Sequence, residues 1–385
     1  MARKLRVGVV GTGNISTAYF RLSKLFKGME IVSCADINMK AAEAQAKLFG
    51  IRAEKVENLI AAKDVDIVVN LTIPAAHYGV AKAALDAGKH VYSEKPFVLS
   101  VKEGLDLAKR AQKKGLRIGS APDTFLGGAH QLARSIVDSG AVGKITSGTA
   151  FVMSHGMEHW HPNPDFFFLP GAGPILDVGP YYVTNLIQLI GPVKRVAAFA
   201  SIPQKERTIT SKPRFGQKIP VKTPTTIHGI LEFANGAVIT MNGSWDVWKH
   251  GHSPMELYGE EGTLFLPDPN FFGGVVKQTK KGEPTKKDPA WKHPLGVPNQ
   301  EHSQGMMANY RTIGLADMAL AIAEGRPHRC SMEMALHAIE VMTGLIEAGQ
   351  TGKVLTLKTT CERPAALGIA EAKSMLAKQK VAAAA

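Results

Sequence analysis

The chain has 385 residues, 45% of them hydrophobic and 21% charged, with 38 Gly and 22 Pro dispersed along it; this composition excludes a disordered or fibrous protein. At roughly 100 to 200 residues per domain, the length predicts two domains with enough chain to bury a sizeable core. Lys plus Arg exceed Asp plus Glu by 46 − 33 = 13, but much of the excess (Lys277, Lys280, Lys281, Lys286, Lys287, Lys292) is interleaved with Gly and Pro, which reads as a solvated loop rather than a nucleic-acid-binding face.

Met1-Ala-Arg-Lys-Leu-Arg runs straight into a strand without the apolar stretch of an export signal. No run approaches the roughly 18 apolar residues of a membrane helix. Cys34, Cys330 and Cys361 lie far apart without CxxC spacing, which fits a reducing compartment. A cytoplasmic protein is expected.

From Lys4 to Gly119 short β-rich runs alternate with amphipathic stretches. The predicted strands are Leu5 to Val10, Glu30 to Ala35, Ile67 to Asn70, His90 to Tyr92 and Arg117 to Gly119; the predicted helices include Ala41 to Phe49, Ala76 to Ala87 and Val101 to Lys114. That rhythm implies a doubly wound parallel sheet covered by helices, whose ligand lies past the carboxyl ends of the strands.

After Pro122 the rhythm changes. A helix (Leu126 to Ser139), a strand (Ile145 to Met153), an irregular aromatic stretch and a helix (Tyr181 to Ile190) precede strands at Val193 to Ser201, Thr226 to Phe233, Ala237 to Ser244 and Pro254 to Tyr258, with Asn235-Gly236 as a hairpin turn. Strands without crossover helices imply a large, mostly antiparallel open sheet, which favours a homodimer or homotetramer built on its uncovered face. Pro203 to Thr225 and Pro267 to Gly305 are long for structureless connections. Two late helices, Arg311 to Glu324 and Glu333 to Ala348, are expected to pack across both parts, and the tail from Glu362 ends in alanines expected to be frayed. The fold class is thus α/β plus α+β, with domains at 1–122 and 123–361 and a tail at 362–385.

Val7-Gly8-Val9-Val10-Gly11-Thr12-Gly13-Asn14-Ile15-Ser16 sets a G-x-G directly after the first strand and at the opening of a helix. Gly11 serves the tight turn, Gly13 lets the backbone approach a pyrophosphate, and the N–H groups that begin the helix at Asn14 and Ile15 receive its charge. Asp36 closes the second strand 25 residues after Gly11, where a carboxylate binds both ribose hydroxyls and repels a 2′-phosphate, favouring NAD over NADP. Its other reading is a cap before Asn38. Ile73, Pro74 and His77 follow the strand Ile67 to Asn70 and are expected as further cofactor contacts, although His77 reads equally well as a helix-start residue.

The most specific string is Ala87-Gly88-Lys89-His90-Val91-Tyr92-Ser93-Glu94-Lys95-Pro96, which puts Lys95 just past a strand's carboxyl end. Here the sequence resembles the glucose-fructose oxidoreductase / inositol dehydrogenase / rhizopine catabolism (Gfo/Idh/MocA) family of sugar oxidoreductases. A second string of the family is matched by Gly171-Ala-Gly-Pro-Ile-Leu-Asp177-Val-Gly179-Pro-Tyr181. The resemblance implies that Lys95 is catalytic or orients substrate, that Glu94 lies by the nicotinamide, and that the Lys95–Pro96 peptide is cis. It also implies a catalytic Asp177. Where many members carry a proton-accepting histidine four residues later, this chain has Tyr181, and Thr184 replaces a further aspartate.

Moving a hydride from a secondary alcohol to NAD requires a base within reach of the hydroxyl proton. Tyr181 is the candidate: an ordinary phenol titrates near 10, and a cation such as Lys95 favours the phenolate. Asp177 either orients the lysine and a second sugar hydroxyl, sharing one helix side with Tyr181, or caps the helix that starts there. His155-Gly-Met-Glu158-His159-Trp160-His161 lacks a third metal ligand at fixed spacing, so no metal is expected. Instead Trp160 is expected to stack on a sugar ring while His159 or His161 binds hydroxyls, the competing reading being packing beneath Phe166-Phe167-Phe168. Asp123, where relatives often carry Asn, is a further substrate candidate.

The expected activity is an NAD-dependent dehydrogenase acting on a secondary hydroxyl, or the keto group in reverse, of a sugar, polyol, sugar acid or glycoside. Alternatives on the same fold are an NADP-linked keto-sugar reductase, an NAD-using glycosidase and a non-catalytic nucleotide-sensing regulator. No helix-turn-helix points to direct DNA binding.

Overall fold

The computed structural model describes residues 3–288, 291–303 and 305–377. The chain divides into two compact units: residues 1–128, 292–335 and 364–385 form the first, and residues 129–291 and 336–363 the second. The expected boundaries at 122 and 361 fall near two of the junctions. The expectation missed that residues 292–335 and 364–377 return to the first unit.

The first unit opens with β1 (Leu5–Val10), α1 (Asn14–Leu22), β2 (Met29–Ala35), α2 (Met39–Phe49), β3 (Arg52–Glu54), α3 (Val56–Ala61), β4 (Ile67–Asn70), α4 (Pro74–Asp86), β5 (His90–Ser93), α5 (Val101–Lys114) and β6 (Ile118–Ser120). The strands pair in parallel in the order β3-β2-β1-β4-β5-β6. Val7, Val9, Val68, Val69 and Val91 are fully buried, as helices on both faces require. The chain order reverses between β1 and β4, so the crevice past their carboxyl ends is the natural ligand position. Helix α5 shows how local sequence sets a boundary: Ser100 Oγ accepts the Glu103 N–H at its start, and Gly115 ends it at φ +61, the left-handed conformation that glycine adopts without strain.

The second unit follows with α6 (Gly128–Asp138), β7 (Ile145–Met153), α7 (Pro174–Asp177), α8 (Gly179–Ile190), β8 (Val193–Ser201), β9 (Glu206–Thr208), β10 (Lys218–Pro220), β11 (Thr226–Phe233), β12 (Val238–Ser244), β13 (Met255–Gly259), β14 (Gly262–Leu266), β15 (Lys277–Lys280) and β16 (Lys286–Lys287). Next come β17 (Gln300–His302), β18 (Gly305–Met307) and α9 (Ile313–Glu324) in the first unit, α10 (Met332–Thr351) divided between the two, β19 (Leu355–Thr356) in the second and α11 (Ile369–Met375) in the first. A nine-stranded sheet runs β16-β15-β14-β13-β7-β12-β11-β8-β19, mostly antiparallel but with β7 and β12 parallel. Along β11, Ile227, Gly229, Leu231 and Phe233 are buried while His228 and Ile230 are exposed; that alternation marks a half-covered sheet. Phe199, 81% exposed, and Ile230 and Val238 stand on the uncovered face.

One expectation is corrected. The Lys-rich stretch is not a plain loop: β15 and β16 pair as an edge hairpin with Lys277 opposite Lys287, and lysines on an edge discourage pairing with another sheet. The 203–225 connection holds the β9–β10 hairpin. The tail is docked as far as residue 377: Ala377 N–H donates to Leu25 O at 2.8 Å, Lys27 N–H to Met375 O at 2.8 Å, and the Arg329 guanidinium to Ala365 O at 2.9 Å and Glu371 at 2.6 Å. The terminal alanines, Ala382 to Ala385, lie outside the described residues. Among the described residues no helix is long and apolar enough to cross a membrane.

Candidate active site

In the first unit the expected cofactor residues converge past the carboxyl ends of β1, β2, β4 and β5. Gly11 has φ +100, and a Cβ there would meet the backbone of Leu71 at 2.6 Å and of Thr72 at 2.8 Å, so only glycine fits the turn. Gly13 is different: a Cβ built on it meets nothing within 4 Å. It precedes the first helical residues, Asn14 and Ile15, and no side chain caps α1. Open space beside uncapped helical N–H groups suits a diphosphate. Asp36 stands just past β2, with one carboxylate oxygen accepting Thr12 N–H at 2.7 Å and Thr12 Oγ at 3.0 Å and the other accepting Asn38 N–H at 2.9 Å. A carboxylate offers about four acceptor positions, so with three taken capacity remains for a ribose hydroxyl. The residues present therefore fit a dinucleotide. Sequence reading missed Ile37, 98% exposed, which with exposed Ile73 sets an aliphatic side chain beyond each strand flanking β1; Pro74 opens α4.

His77 turns its ring inward. It is fully buried, with Nδ1 2.7 Å from Pro96 O and Nε2 2.9 Å from Thr72 O, so it packs between the turn after β4 and the segment after β5 and donates its one N–H to one of these carbonyls. That segment carries Glu94 and half-buried Lys95, and the Lys95–Pro96 peptide is cis. Glu94 is bonded at both oxygens: Tyr19 OH donates to Oε1 at 3.0 Å and Lys95 N–H to Oε2 at 2.8 Å.

Asp123 is also reassigned. It is buried, and its carboxylate accepts Thr312 N–H at 2.9 Å and Gly314 N–H at 3.1 Å, capping α9 from 189 residues away. Burial pushes its pKa up to about 6. It is turned into the protein, not toward a sugar.

In the second unit α7 ends at Asp177, and Val178, not Asp177, is the N-cap residue of α8. Asp177 and Tyr181 therefore do not share one continuous helix, since the ladder is broken at Val178 and Pro180 has no N–H to continue it. Asp177 is half-buried and Tyr181 buried. Helix α7 rests on β12, where a Cβ at Gly243 would meet Ile175 at 2.5 Å. Thr184, in place of an aspartate, donates within its own helix to Pro180 O at 2.8 Å.

The loop after β7 splits its histidines. His159 is exposed, and Trp160 is 57% exposed. His161 instead packs edge-on against Phe166 and Phe167 at 5.5 and 5.2 Å and its Nδ1 accepts Asn163 N–H at 3.1 Å, so the packing reading holds for His161. Glu158 turns inward to Arg207 at 2.9 Å, and Arg207 also pairs with Asp246. Trp248, 82% exposed, stacks on His155 with ring centroids 3.3 Å apart; the sequence offered no signal for this pair. Among the described residues no group of three or more His, Cys, Asp or Glu is arranged to hold a metal.

Residues 5–121 match an oxidoreductase family described as having an NAD-binding Rossmann fold, and residues 130–265 match the GFO/IDH/MocA C-terminal domain. The chain is 33% identical to inositol 2-dehydrogenase of Salmonella typhimurium over 146 residues, 36% of this chain and 43% of that protein. It is 26% identical to D-glucoside 3-dehydrogenase of Escherichia coli over 251 residues, 63% of this chain and 70% of that protein. Levoglucosan dehydrogenase, solved with NADH and levoglucosan, shares the fold at a TM-score of 0.78 and 20% identity, covering 92% of this chain and 100% of that one. Matches to several relatives span only 43% to 63% of their length. Together the two matched domains establish that this chain belongs to the Gfo/Idh/MocA family of oxidoreductases, with an NAD-binding Rossmann domain over residues 5–121.

Proposed function

We propose that the protein is an NAD-dependent dehydrogenase that oxidises, reversibly, a secondary hydroxyl of a sugar, polyol, sugar acid or glycoside. The observation that carries this reading is the rim of the first unit, where the open glycine turn, Asp36 and the Glu94–Lys95 segment lie past the carboxyl ends of neighbouring strands. Relatives named for glucosides, levoglucosan and inositol point to a cyclic, polyhydroxylated substrate. Asp36 favours NAD, because a 2′-phosphate would meet its carboxylate.

When bound, the nicotinamide takes up the hydride released by the carbon being oxidised. Lys95 presents an ammonium to the reacting oxygen and stabilises charge that develops there. Tyr181, as the phenolate, receives the hydroxyl proton, and Asp177 binds a second hydroxyl. Trp160 supplies an aromatic face for the ring and His159 a hydrogen-bonding group. We assign the protein to the cytoplasm, in keeping with three buried cysteines far apart in the sequence. A second copy of the chain, in a homodimer or homotetramer, is the inferred partner of the sheet face bearing Phe199, Ile230 and Val238.

A panel of glucosides, anhydrosugars, aldoses and inositols, each assayed with NAD and with NADP by absorbance of the reduced cofactor, tests the reading. Turnover of a cyclic polyol with NAD is the expected result. Faster turnover with NADP overturns the role of Asp36, and intact NAD affinity without turnover of any compound moves the protein to the regulator class.

A further inference from the structure

Tyr19 lies on the inner face of α1 with Ser16 and Phe20, and its ring is only 1% exposed. A hydroxyl in such a place needs a partner, and it finds one in a side chain 75 residues away, Glu94 Oε1 at 3.0 Å. The other oxygen of that carboxylate holds the N–H of Lys95 at 2.8 Å. Burial, then the Glu94 charge, push the Tyr19 phenol well above its usual range, so it stays protonated and serves only as donor to the anion. The further charged groups that Tyr19 senses are Asp123 and Arg311, and Asp123 is committed to the start of α9.

We propose that Tyr19 is a positioning residue for Lys95: its hydroxyl locks the Glu94 carboxylate, and the locked carboxylate fixes the backbone from which the lysine projects. The proposal rests on the reading of Lys95 as a reacting group. Phenylalanine at position 19 would fill the same volume but leave a buried carboxylate oxygen without its donor. Glu94 would then rotate, and the Lys95 N–H would lose its acceptor. The Gly11, Gly13 and Asp36 end of the cofactor site is left untouched by this change.

The test compares Tyr19→Phe, Glu94→Gln and the double variant with the wild type by calorimetric NAD affinity, thermal midpoint, steady-state kinetics on the best substrate of the panel, and residue-resolved amide hydrogen exchange. Expected for Tyr19→Phe are a thermal midpoint and NAD affinity close to wild type, exchange at the Lys95 amide about tenfold faster, kcat lower by about tenfold with little change in KM, and a double variant no worse than Glu94→Gln alone. Unchanged exchange at Lys95 or wild-type kcat overturns the proposal. So does faster exchange along all of α1 with a lower midpoint, which would make Tyr19 a packing residue. Lys95→Ala, measured alongside, separates the two levels: its near-normal turnover would remove the lysine itself, whereas an inactive Lys95→Ala beside a fully active Tyr19→Phe would remove only the positioning role.

Discussion

The first unit gathers Asp36, Glu94 and Lys95 at one rim of a sheet whose interior is valine and isoleucine, whereas the second gathers the Glu158–Arg207–Asp246 group inside its body. Asp36, Glu94 and Lys95 lie within a few residues of strand ends; His130, His337, Arg207 and Glu158 are buried among apolar side chains. Strand direction explains the difference. Parallel strands all finish on one edge, so the residues after each finish converge there. In the mostly antiparallel sheet successive strands finish on opposite edges, and the Glu158–Arg207–Asp246 group is gathered from three separate loops and strands.

The sharpest way to break this comparison is to remove one charge from each unit. Lys95→Ala should lower kcat by about a hundredfold or more, the scale of a lost proton-transfer or charge-stabilising group, while calorimetry finds NAD affinity unchanged. Arg207→Ala should act on stability instead, because it leaves Glu158 and Asp246 without their cation in a buried setting, a cost of about 3 to 5 kcal/mol. Its thermal midpoint should fall markedly, and the turnover of the fraction that stays folded should hold. Equal kinetic loss in both variants would erase the distinction between a reactive rim and a structural interior.

Particular buried groups of the two units should also answer acid in opposite directions. Burial lowers the pKa of His130 and of His337 from 6.5 to about 4, and His337 Nε2 accepts Val193 N–H at 2.9 Å, which requires the neutral ring. Their contribution is complete above pH 6.5 and is lost as pH falls toward 4, by roughly 3 kcal/mol each at full extent. Asp123, raised from 3.8 to about 6, contributes fully below pH 4 and loses its contribution as pH rises through 6, again by roughly 3 kcal/mol. His337→Gln should therefore flatten the acid side of a plot of thermal midpoint against pH. Asp123→Asn should gain on the wild type as pH rises from about 4 to 7. Parallel curves for the variants and the wild type would show that these groups do not set the pH response.

Much of the fold was legible because the strongest signals are local. Helix α5 was bounded at Val101 and Lys114 from its amphipathic stretch, and five strands of the second unit were found from strand-like runs with Asn235-Gly236 as a hairpin turn. The return of residues 292–335 and 364–377 to the first unit was not legible: Arg329 reaching Glu371 and Asp123 reaching α9 are long-range pairings with no local signature. The same limit holds for the site. Gly11, Gly13, Asp36 and Lys95 sit in contiguous strings, but the inward turn of His77, Asp123 and His161 depends on carbonyls, amides and rings supplied from elsewhere. The two glycines sharpen the point. Gly11→Ala forces a Cβ into the Leu71 backbone at φ +100 and should cost about 1 to 3 kcal/mol of stability. Gly13→Ala, with nothing within 4 Å, should keep the thermal midpoint and weaken NAD binding about tenfold, or ~1.4 kcal/mol. An unaffected NAD affinity in Gly13→Ala would mean that the open space beside α1 is not where the diphosphate lies.

Trp160 gives the smallest effect and the finest discrimination between the units. It is an exposed aromatic of a loop in which two neighbours are committed elsewhere: Glu158 to Arg207, and His161 to the phenylalanines. An aromatic ring left 57% exposed contributes little to folding, so Trp160→Ala should leave the thermal midpoint within a degree or so. If the ring covers the apolar face of a bound sugar, its loss removes about 1 kcal/mol of binding shared by ground and transition states. KM should then rise by a factor of about five with kcat nearly unchanged, the pattern of uniform binding. A fall in kcat at constant KM would instead place Trp160 among the groups that act on the transition state, and the second unit would then contribute chemistry from a loop as well as a surface for the substrate.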